Sequence, residues 1–188
     1  MRKSIISALL LAVLLLPAEA LAGAFYEHED SIYYWYVEEN PHFEIVVPAT
    51  GDAYLETDLF GQKTVQIYLG KNNNRFAGPQ FVVGSVTSPN VTIERIKSMA
   101  LSQWGHIFTN VKTEADRRIT TSNGTSAHFY AVTASTPAAK QGMLRLVIFQ
   151  KGNSFAYVML SCYASDYDSN TTLRNQWLRA VNDFRWLD

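Results

Sequence analysis

Tight-turn signals between runs of strand-forming residues are the feature that most constrains the fold of this chain. Two of them lie in the second half, at Asn123-Gly124 and at Lys151-Gly152-Asn153-Ser154. The first turn separates the strand-forming segments Arg117–Thr121 and Ala127–Ala134. The second separates Met143–Gln150 and Phe155–Ala164. Asn-Gly between such runs is the strongest short hairpin signal. Because a short turn cannot make a parallel crossover, this half predicts an antiparallel sheet.

The first half of the chain adds four further runs that predict strands. Proline, asparagine and glycine separate them: Ile32–Val37, Phe43–Val47, Thr64–Leu69 and Phe81–Val86. The first two are rich in aromatic and β-branched residues and are divided by Asn40-Pro41, so they predict a small N-terminal hairpin. The composition of Thr50–Gly61 predicts a mixed loop, and that of Gly70–Asn74 a polar loop.

Two segments change to helical periodicity. The first runs from about Val91 to Trp104, with Thr92 as a plausible N-cap and Gly105 as its end. The second begins at Asn170 or Thr171 and carries a stripe of Leu173, Trp177, Leu178, Val181 and Phe184. Amphipathic helices between strands must bury their apolar stripes on a sheet face. The chain therefore predicts an α+β fold, in which an antiparallel β-sheet packs against two main α-helices beside the small N-terminal hairpin.

The start of the chain predicts a secretory leader. Arg2-Lys3 is basic, Ile5–Pro17 is apolar apart from one serine, and Ala20-Leu21-Ala22 supplies the small residues of a cleavage site. The apolar run is shorter than the ~20 residues that span a bilayer. We expect cleavage near Ala22; a retained N-terminal anchor is the alternative.

This interpretation assigns residues 1–22 to the signal peptide and residues 23–188 to a single domain. It predicts a periplasmic or secreted protein with no integral membrane segment after leader removal. The leader holds two basic side chains and one acidic one, so 14 basic and 16 acidic side chains remain in residues 23–188. Without a basic block, neither nucleic acid nor an anionic membrane surface is an expected partner. Cys162, the only cysteine, excludes an internal disulfide and is expected to be buried and inert.

Five segments resemble the PsbP/Mog1-like fold family, which includes small exported bacterial PsbP-like proteins of unknown role. Phe43–Pro48 is similar to an opening F-x-I-x-x-P segment, and the Ile93–Trp104 helix lies where the family has its first long helix. The other three are Asn123–Ala127 as the G-x-x-A hairpin, Phe155–Met159 as the strand before the last helix, and Val181–Arg185 as the closing I-x-x-S-F stretch.

The resemblance covers roughly residues 43–188 and implies an α+β sandwich in a bacterial protein. Asp183 stands where the family pattern has serine. The family has no shared catalytic set. The metal and photosystem contacts of PsbP-type members, and the Ran-binding acidic residues of Mog1-type members, have no counterparts in this chain. Only the fold is therefore implied by the resemblance.

The residue types that carry catalysis or bind metal are present but not in the required spacing. The four histidines, His28, His42, His106 and His128, form no i, i+4 pair. His28 among acidic residues predicts a solvated tail in preference to a loose metal site. No Gly-x-Ser-x-Gly segment or phosphate-binding glycine loop occurs. We predict no catalytic residues, no cofactor and no metal, and a protein that is more an interaction module than an enzyme.

Aromatic residues form the candidate partner-binding site. Tyr33, Tyr34, Trp35 and Tyr36 are consecutive, so they line both faces of a strand. Phe155, Tyr157, Met159 and Tyr163 share the strand face opposite Cys162. If both helices cover the Cys162 face, this second face is capped by the N-terminal hairpin and the Thr50–Gly61 loop, or it docks a partner. Tyrosine and tryptophan are enriched at interfaces.

The predicted function is that of an exported, non-enzymatic accessory protein of the bacterial periplasm or cell envelope. It would bind a protein partner through the aromatic sheet face or the N-terminal segment. Two alternatives stay open: a hydrolase or lyase with a dispersed active site, and a carrier of a small apolar ligand. A histidine, a carboxylate and a serine joined in one deep pocket would favour the first. A large cavity between sheet and helices would favour the second.

Overall fold

The structure, a computed structural model, describes residues 23–59, 61–70, 78–104, 108–135 and 140–188. Its strands are β1 Ala24–Glu27, β2 Tyr33–Glu39, β3 His42–Pro48, β4 Asp52–Thr57, β5 Lys63–Tyr68, β6 Gln80–Thr87, β7 Thr109–Thr120, β8 Ser126–Ser135, β9 Gln141–Lys151, β10 Ser154–Tyr163 and β11 Arg185–Trp186. Its helices are α1 Ile93–Trp104, α2 Ala164–Ser169 and α3 Thr171–Asn182. The predicted leader, the end of the first helix at Gly105, most of the Gly70–Asn74 loop and His106 lie outside the described residues.

The strands form two sheets, and every neighbouring pair is antiparallel. The larger sheet has the order β4-β5-β6-β10-β9-β8-β7, and the smaller has the order β1-β2-β3-β11. The predicted N-terminal hairpin is therefore the centre of a four-stranded sheet, since β1 and β11 pair with its two sides. The predicted α+β fold is found, as antiparallel sheet with a few helices.

One face of the seven-stranded sheet packs against the four-stranded sheet and α3. This face carries Ala156, Val158, Leu160 and Cys162 of β10. Opposite it lie buried side chains of β3 and α3, with Phe184 beyond the helix: Phe43, Ile45, Val47, Leu173, Trp177, Ala180, Val181 and Phe184. Phe184 stacks on Phe149 with ring centroids 3.7 Å apart and an interplanar angle of 6°. This first core joins the two sheets.

The other face of the seven-stranded sheet packs against α1. Ile96, Met99, Ala100 and Trp104 of the helix are buried with β10 and its neighbours, including Phe155, Tyr157 and Met159. The condition that both helices cover the Cys162 face is therefore not met. Helical periodicity gives the apolar stripe of each helix but not the sheet face it meets, and here α1 and α3 lie on opposite faces.

Both predicted helix caps are confirmed. The Thr92 hydroxyl oxygen accepts a hydrogen bond from the Arg95 N–H at 3.2 Å, and the Asn170 side-chain oxygen accepts one from the Leu173 N–H at 3.0 Å. Such bonds satisfy N–H groups that have no partner within the first helical turn.

Several element boundaries differ from the sequence predictions. Thr50–Gly61 contains strand β4, and β7 starts eight residues before the predicted Arg117. A third helix, α2, precedes the predicted terminal helix, so the described residues contain three helices instead of two. Leu178 is exposed and lies off the buried stripe of α3. Among the described residues, no helix is long and apolar enough to cross a membrane.

Candidate functional site

A cleft of about 460 Å³ lies between the seven-stranded sheet and the C-terminal end of α1. Its floor consists of side chains from β5, β6 and β10 that point toward α1, and β4 forms one rim. The helix contributes Ser102, Gln103 and Trp104, and Phe108 follows just before β7. Because side chains alternate along a strand, residues two apart on each strand reach the same cleft.

The floor of the cleft carries a pair of glutamine side chains. The Gln66 side-chain oxygen accepts hydrogen bonds from the Tyr68 hydroxyl at 2.8 Å and from the Gln80 side-chain nitrogen at 2.6 Å. These bonds leave the Gln66 amide nitrogen and the Gln80 amide oxygen without a hydrogen-bond partner among the described residues. Each amide can therefore still make a hydrogen bond, one as donor and the other as acceptor.

The opposite wall of the cleft is aromatic and apolar. Trp104 stacks on Phe108 with ring centroids 4.1 Å apart and an interplanar angle of 22°, and Met159 and Val82 lie nearby in the lining. The Trp104 indole N–H is buried and has no hydrogen-bond partner within the described parts of the chain. A buried tryptophan N–H usually has one. The cleft thus combines an apolar wall with a polar floor, as ligand-binding pockets do.

No histidine of the described residues lies beside the carboxylate, hydroxyl and thiol groups that line the cleft. Glu56, Ser161 and Cys162 are in its lining, whereas His28, His42 and His128 are not. Burial raises the pKa of the Cys162 thiol to about 12, with a further increase from the nearby Asp166 carboxylate. The thiol therefore stays protonated and weakly nucleophilic at neutral pH.

Three of the six predicted partner-binding residues are buried. Tyr33 is 6% exposed, Tyr36 3% and Tyr157 2%, so they offer no surface to a partner in this fold. Tyr36 packs in the core between the two sheets, and Tyr33 lies against the His28 ring and the Arg179 guanidinium. Tyr157 is buried in the core that includes α1, and its hydroxyl donates a hydrogen bond to the Asp58 carboxylate at 2.8 Å. Four consecutive aromatic residues indicate a strand, but they cannot show that two of its rings are covered.

The other three predicted residues do not form one surface. Tyr34 is 40% exposed and contacts Phe25, their ring centroids being 6.1 Å apart. Trp35 is half-buried on the other face of β2, 5.3 Å from the His28 ring. Tyr163 lies in the larger sheet, where it lines the cleft. Whether any of these residues binds a partner stays a prediction.

The N-terminal segment is better ordered than its acidic composition predicts. His28 is buried, with its ring 5.7 Å from the Tyr33 ring, and its Nδ1 accepts a hydrogen bond from the Asp30 N–H at 2.9 Å. The expected solvated tail is therefore wrong for this residue, because neighbouring aromatic rings cover the imidazole. Across the described residues, no group of three or more His, Cys, Asp or Glu side chains is placed to hold a metal ion.

A charged cluster that the sequence gives no sign of lies away from the cleft. Asp116 on β7 contacts the Lys97 ammonium and the His128 ring Nε2, both at 2.5 Å. Lys97 also pairs with Glu94 at 2.9 Å, and its ammonium lies 4.8 Å from the centre of the Tyr130 ring. Lys97, Asp116 and His128 are far apart in the sequence and are brought together by strand pairing and helix packing. No local spacing could therefore have indicated this cluster.

Comparison with known proteins gives similarity at the level of the fold. No protein-family model matches the chain, and no curated protein matches it. The solution structure of the cyanobacterial PsbP protein CyanoP from Synechocystis sp. PCC 6803 matches with a TM-score of 0.59 and 9% identity, over 88% of this chain and 98% of that one. The expected PsbP-like fold is therefore confirmed.

A second solved structure is less similar. It is PA94, a protein of unknown function from Pseudomonas aeruginosa, with a TM-score of 0.41 and 12% identity over 84% of this chain and 94% of that one. This score is too low to establish a shared fold.

Proposed function

We propose that this chain is an exported bacterial accessory protein that binds a partner protein noncovalently, and that the cleft is its binding site. The observation that carries the proposal is that the Trp104–Phe108 wall faces amide groups of Gln66 and Gln80 that have no hydrogen-bond partner among the described residues. Apolar pockets with a few polar groups that orient the ligand are typical of binding sites. The leader pattern in residues 1–22 supports export.

The occupant we propose is an extended segment of the partner with an aromatic or aliphatic side chain. Strand β4 supports this choice, because it is at the edge of the seven-stranded sheet and pairs only with β5 among the described strands. Glu56 and Thr57 of this edge strand also line the cleft. An added strand would pair with β4 on the side away from β5 and place alternate side chains toward the pocket.

Site-specific photocrosslinking in intact cells tests this proposal. A photoreactive amino acid at Gln103, an exposed lining residue, should form one protein adduct of defined mass. The same amino acid at Leu178, which is exposed on α3, is the matched control and should not form it. Equal adducts from both positions, or none from Gln103, would contradict binding of a protein in the cleft.

A blocking substitution makes the test specific. Ser102→Trp adds a large ring at the mouth of the cleft, and Ser102 is exposed, so the fold should tolerate it. Ser98→Trp, one turn earlier on the exposed face of α1, is the control. The Gln103 adduct should decrease at least tenfold in Ser102→Trp and stay unchanged in Ser98→Trp.

The volume of the cleft favours a second candidate, a carrier of a small planar amphipathic molecule. A volume of about 460 Å³ suits a small-molecule ligand. Native mass spectrometry of the protein purified gently from its own cells would then show an added mass. That mass should be absent from Ser102→Trp and present in Ser98→Trp, while the Gln103 probe should give no protein adduct.

A further inference from the structure

The first described residue contacts a buried polar pair in the four-stranded sheet. The Gly23 backbone nitrogen donates a hydrogen bond to the Tyr36 hydroxyl oxygen at 3.2 Å. The Tyr36 hydroxyl in turn donates to the Glu38 carboxylate at 2.7 Å. Tyr36 is 3% exposed and Glu38 is 8% exposed. Three groups thus form a short chain of hydrogen bonds that ends on a buried carboxylate.

Glu38 has no cationic partner in the parts of the chain that the structure describes. Its other oxygen accepts a hydrogen bond from the Glu39 N–H at 3.1 Å, so neutral donors contact both oxygens. Burial, and then the hydrogen bond to Glu38, raises the pKa of Tyr36 well above its usual value, so the phenol remains a neutral donor. A buried carboxylate without a positive charge nearby is costly.

Position 23 accepts only glycine in this arrangement. A Cβ atom there would collide with the Val37 carbonyl oxygen and would lie 2.8 Å from the Tyr36 ring. The next residue, Ala24, begins β1 and is paired with Val37. The backbone nitrogen of Gly23 is therefore held where β1 starts, directly after the predicted cleavage position.

We propose that Tyr36 and Glu38 form a receptor for the new N-terminus that leader cleavage creates at Gly23. This inference rests on the export part of the proposed function. An export peptidase would hydrolyse the Ala22–Gly23 peptide bond with one water molecule, leaving a carboxylate on Ala22 and an amine on Gly23. At neutral pH that amine takes up a proton and becomes an ammonium group.

The charge of the ammonium group is what the uncleaved chain lacks. Before cleavage, the Gly23 nitrogen is a neutral amide, so Glu38 has only neutral donors. After cleavage, the ammonium lies one tyrosine hydroxyl away from the buried carboxylate and compensates its charge. Removal of the leader therefore supplies the positive charge that balances the buried Glu38 carboxylate in the four-stranded sheet, and it also releases the chain.

The first measurement is the intact mass of the protein recovered from the periplasm or medium, which should correspond to residues 23–188. The second is the rate at which an N-hydroxysuccinimide ester acylates the Gly23 amine at pH 7, relative to the exposed Lys63 amine in the same molecule. A nearby carboxylate raises the pKa of an amine, and one pKa unit changes the reactive neutral fraction about tenfold. Glu38→Gln should accelerate acylation about tenfold.

Two further variants keep the outcome interpretable. Glu39→Gln changes the neighbouring exposed carboxylate and should leave the acylation rate unchanged. Tyr36→Phe removes the bridging hydroxyl and should also accelerate acylation, which covers the case in which Glu38→Gln fails to fold. A mass that begins at another residue would overturn the cleavage step. A mass that begins at Gly23 with equal rates in all variants would overturn the receptor alone, whatever the cleft binds.

Discussion

Asp116 shows how one side chain can join a helix to an outer strand. It contacts Lys97 of α1 and His128 of β8, and the Lys97 side chain is only 8% exposed. A nearly buried ammonium needs a paired anion, because burying an isolated charge is costly. On the same strand, Glu114 pairs with Lys112 at 3.2 Å, but both of those side chains are largely exposed.

We expect Asp116→Asn to destabilise the protein in a pH-dependent way. The hydrogen bonds from Lys97 and then His128 lower the pKa of Asp116. A carboxylate whose pKa is lower in the folded chain stabilises the fold above its unfolded pKa of about 4, and this effect is lost as pH falls through the folded-state pKa. Urea unfolding should show a loss of about 1 kcal/mol at pH 7, a value reduced for the solvent exposure of Asp116, and little loss below pH ~3.

Glu114→Gln is the matched control for this prediction. Its partner Lys112 is exposed to water, and exposed ion pairs contribute little to stability. The substitution should therefore change the free energy of unfolding by less than Asp116→Asn at pH 7. An equal loss of unfolding free energy from both substitutions would mean that the burial of Lys97 adds nothing to the stability contributed by its ion pair with Asp116.

At the scale of secondary structure, the N-cap of α3 is the feature predicted from sequence whose energy is easiest to measure. Asn170→Ala removes the acceptor for the Leu173 N–H, and loss of such a cap costs about 1 kcal/mol. Asn170→Asp keeps a side-chain acceptor and should retain most of the stability. Thermal unfolding followed by circular dichroism compares the three proteins, and equal midpoints would show that the cap contributes nothing.

Strands with one buried face and helices with clear caps could be predicted from the sequence. The alternation of Val65 and Ile67 in β5 is produced by one buried face, and Thr92 and Asn170 cap helices through local hydrogen bonds. Strand β4 was missed because its residues are exposed or half-buried on both faces, so it has no apolar alternation. Its pairing with β5 comes from backbone hydrogen bonds, which any sequence can make.

At the scale of the whole molecule, the two sheets depend on each other. Strands β2 and β3 contribute Tyr36, Phe43, Ile45 and Val47 to the same core as the larger sheet. The sequence predicted only a small N-terminal hairpin where the structure has the four-stranded sheet. In the structure it is part of the fold, because its inner face is covered by α3 and β10.

A chain that lacks residues 23–37 should therefore not fold cooperatively. It loses the buried side chains of Tyr33 and Tyr36, each contributing about 1.5–3 kcal/mol, and it exposes one side of β3. This is a large share of a typical stability of ~5–15 kcal/mol. Thermal unfolding should show no sharp transition. A chain that lacks only residues 24–27, whose side chains are all exposed, should still unfold cooperatively; the same behaviour in both would contradict the prediction.

The candidate site could be predicted only in part, because it is assembled from distant segments. Tyr163 was among the predicted binding residues and lies in the cleft, but Trp104 was predicted only as a helix residue of the core. Gln66 and Gln80 are 14 positions apart and meet through the pairing of β5 with β6. Without knowledge of which sheet face α1 covers, their meeting with Trp104 and Phe108 has no sequence signal.

Strand β7 has a consequence for how copies of this protein behave when crowded. It is the edge strand of the larger sheet opposite β4, and its residues are exposed or half-buried. Its pairing with β8 is interrupted by two register shifts. It also carries the charged residues Lys112, Glu114, Asp116, Arg117 and Arg118. Irregular, charged edges resist stacking against a second chain. We therefore expect copies of this protein in concentrated solution not to associate with one another through β7.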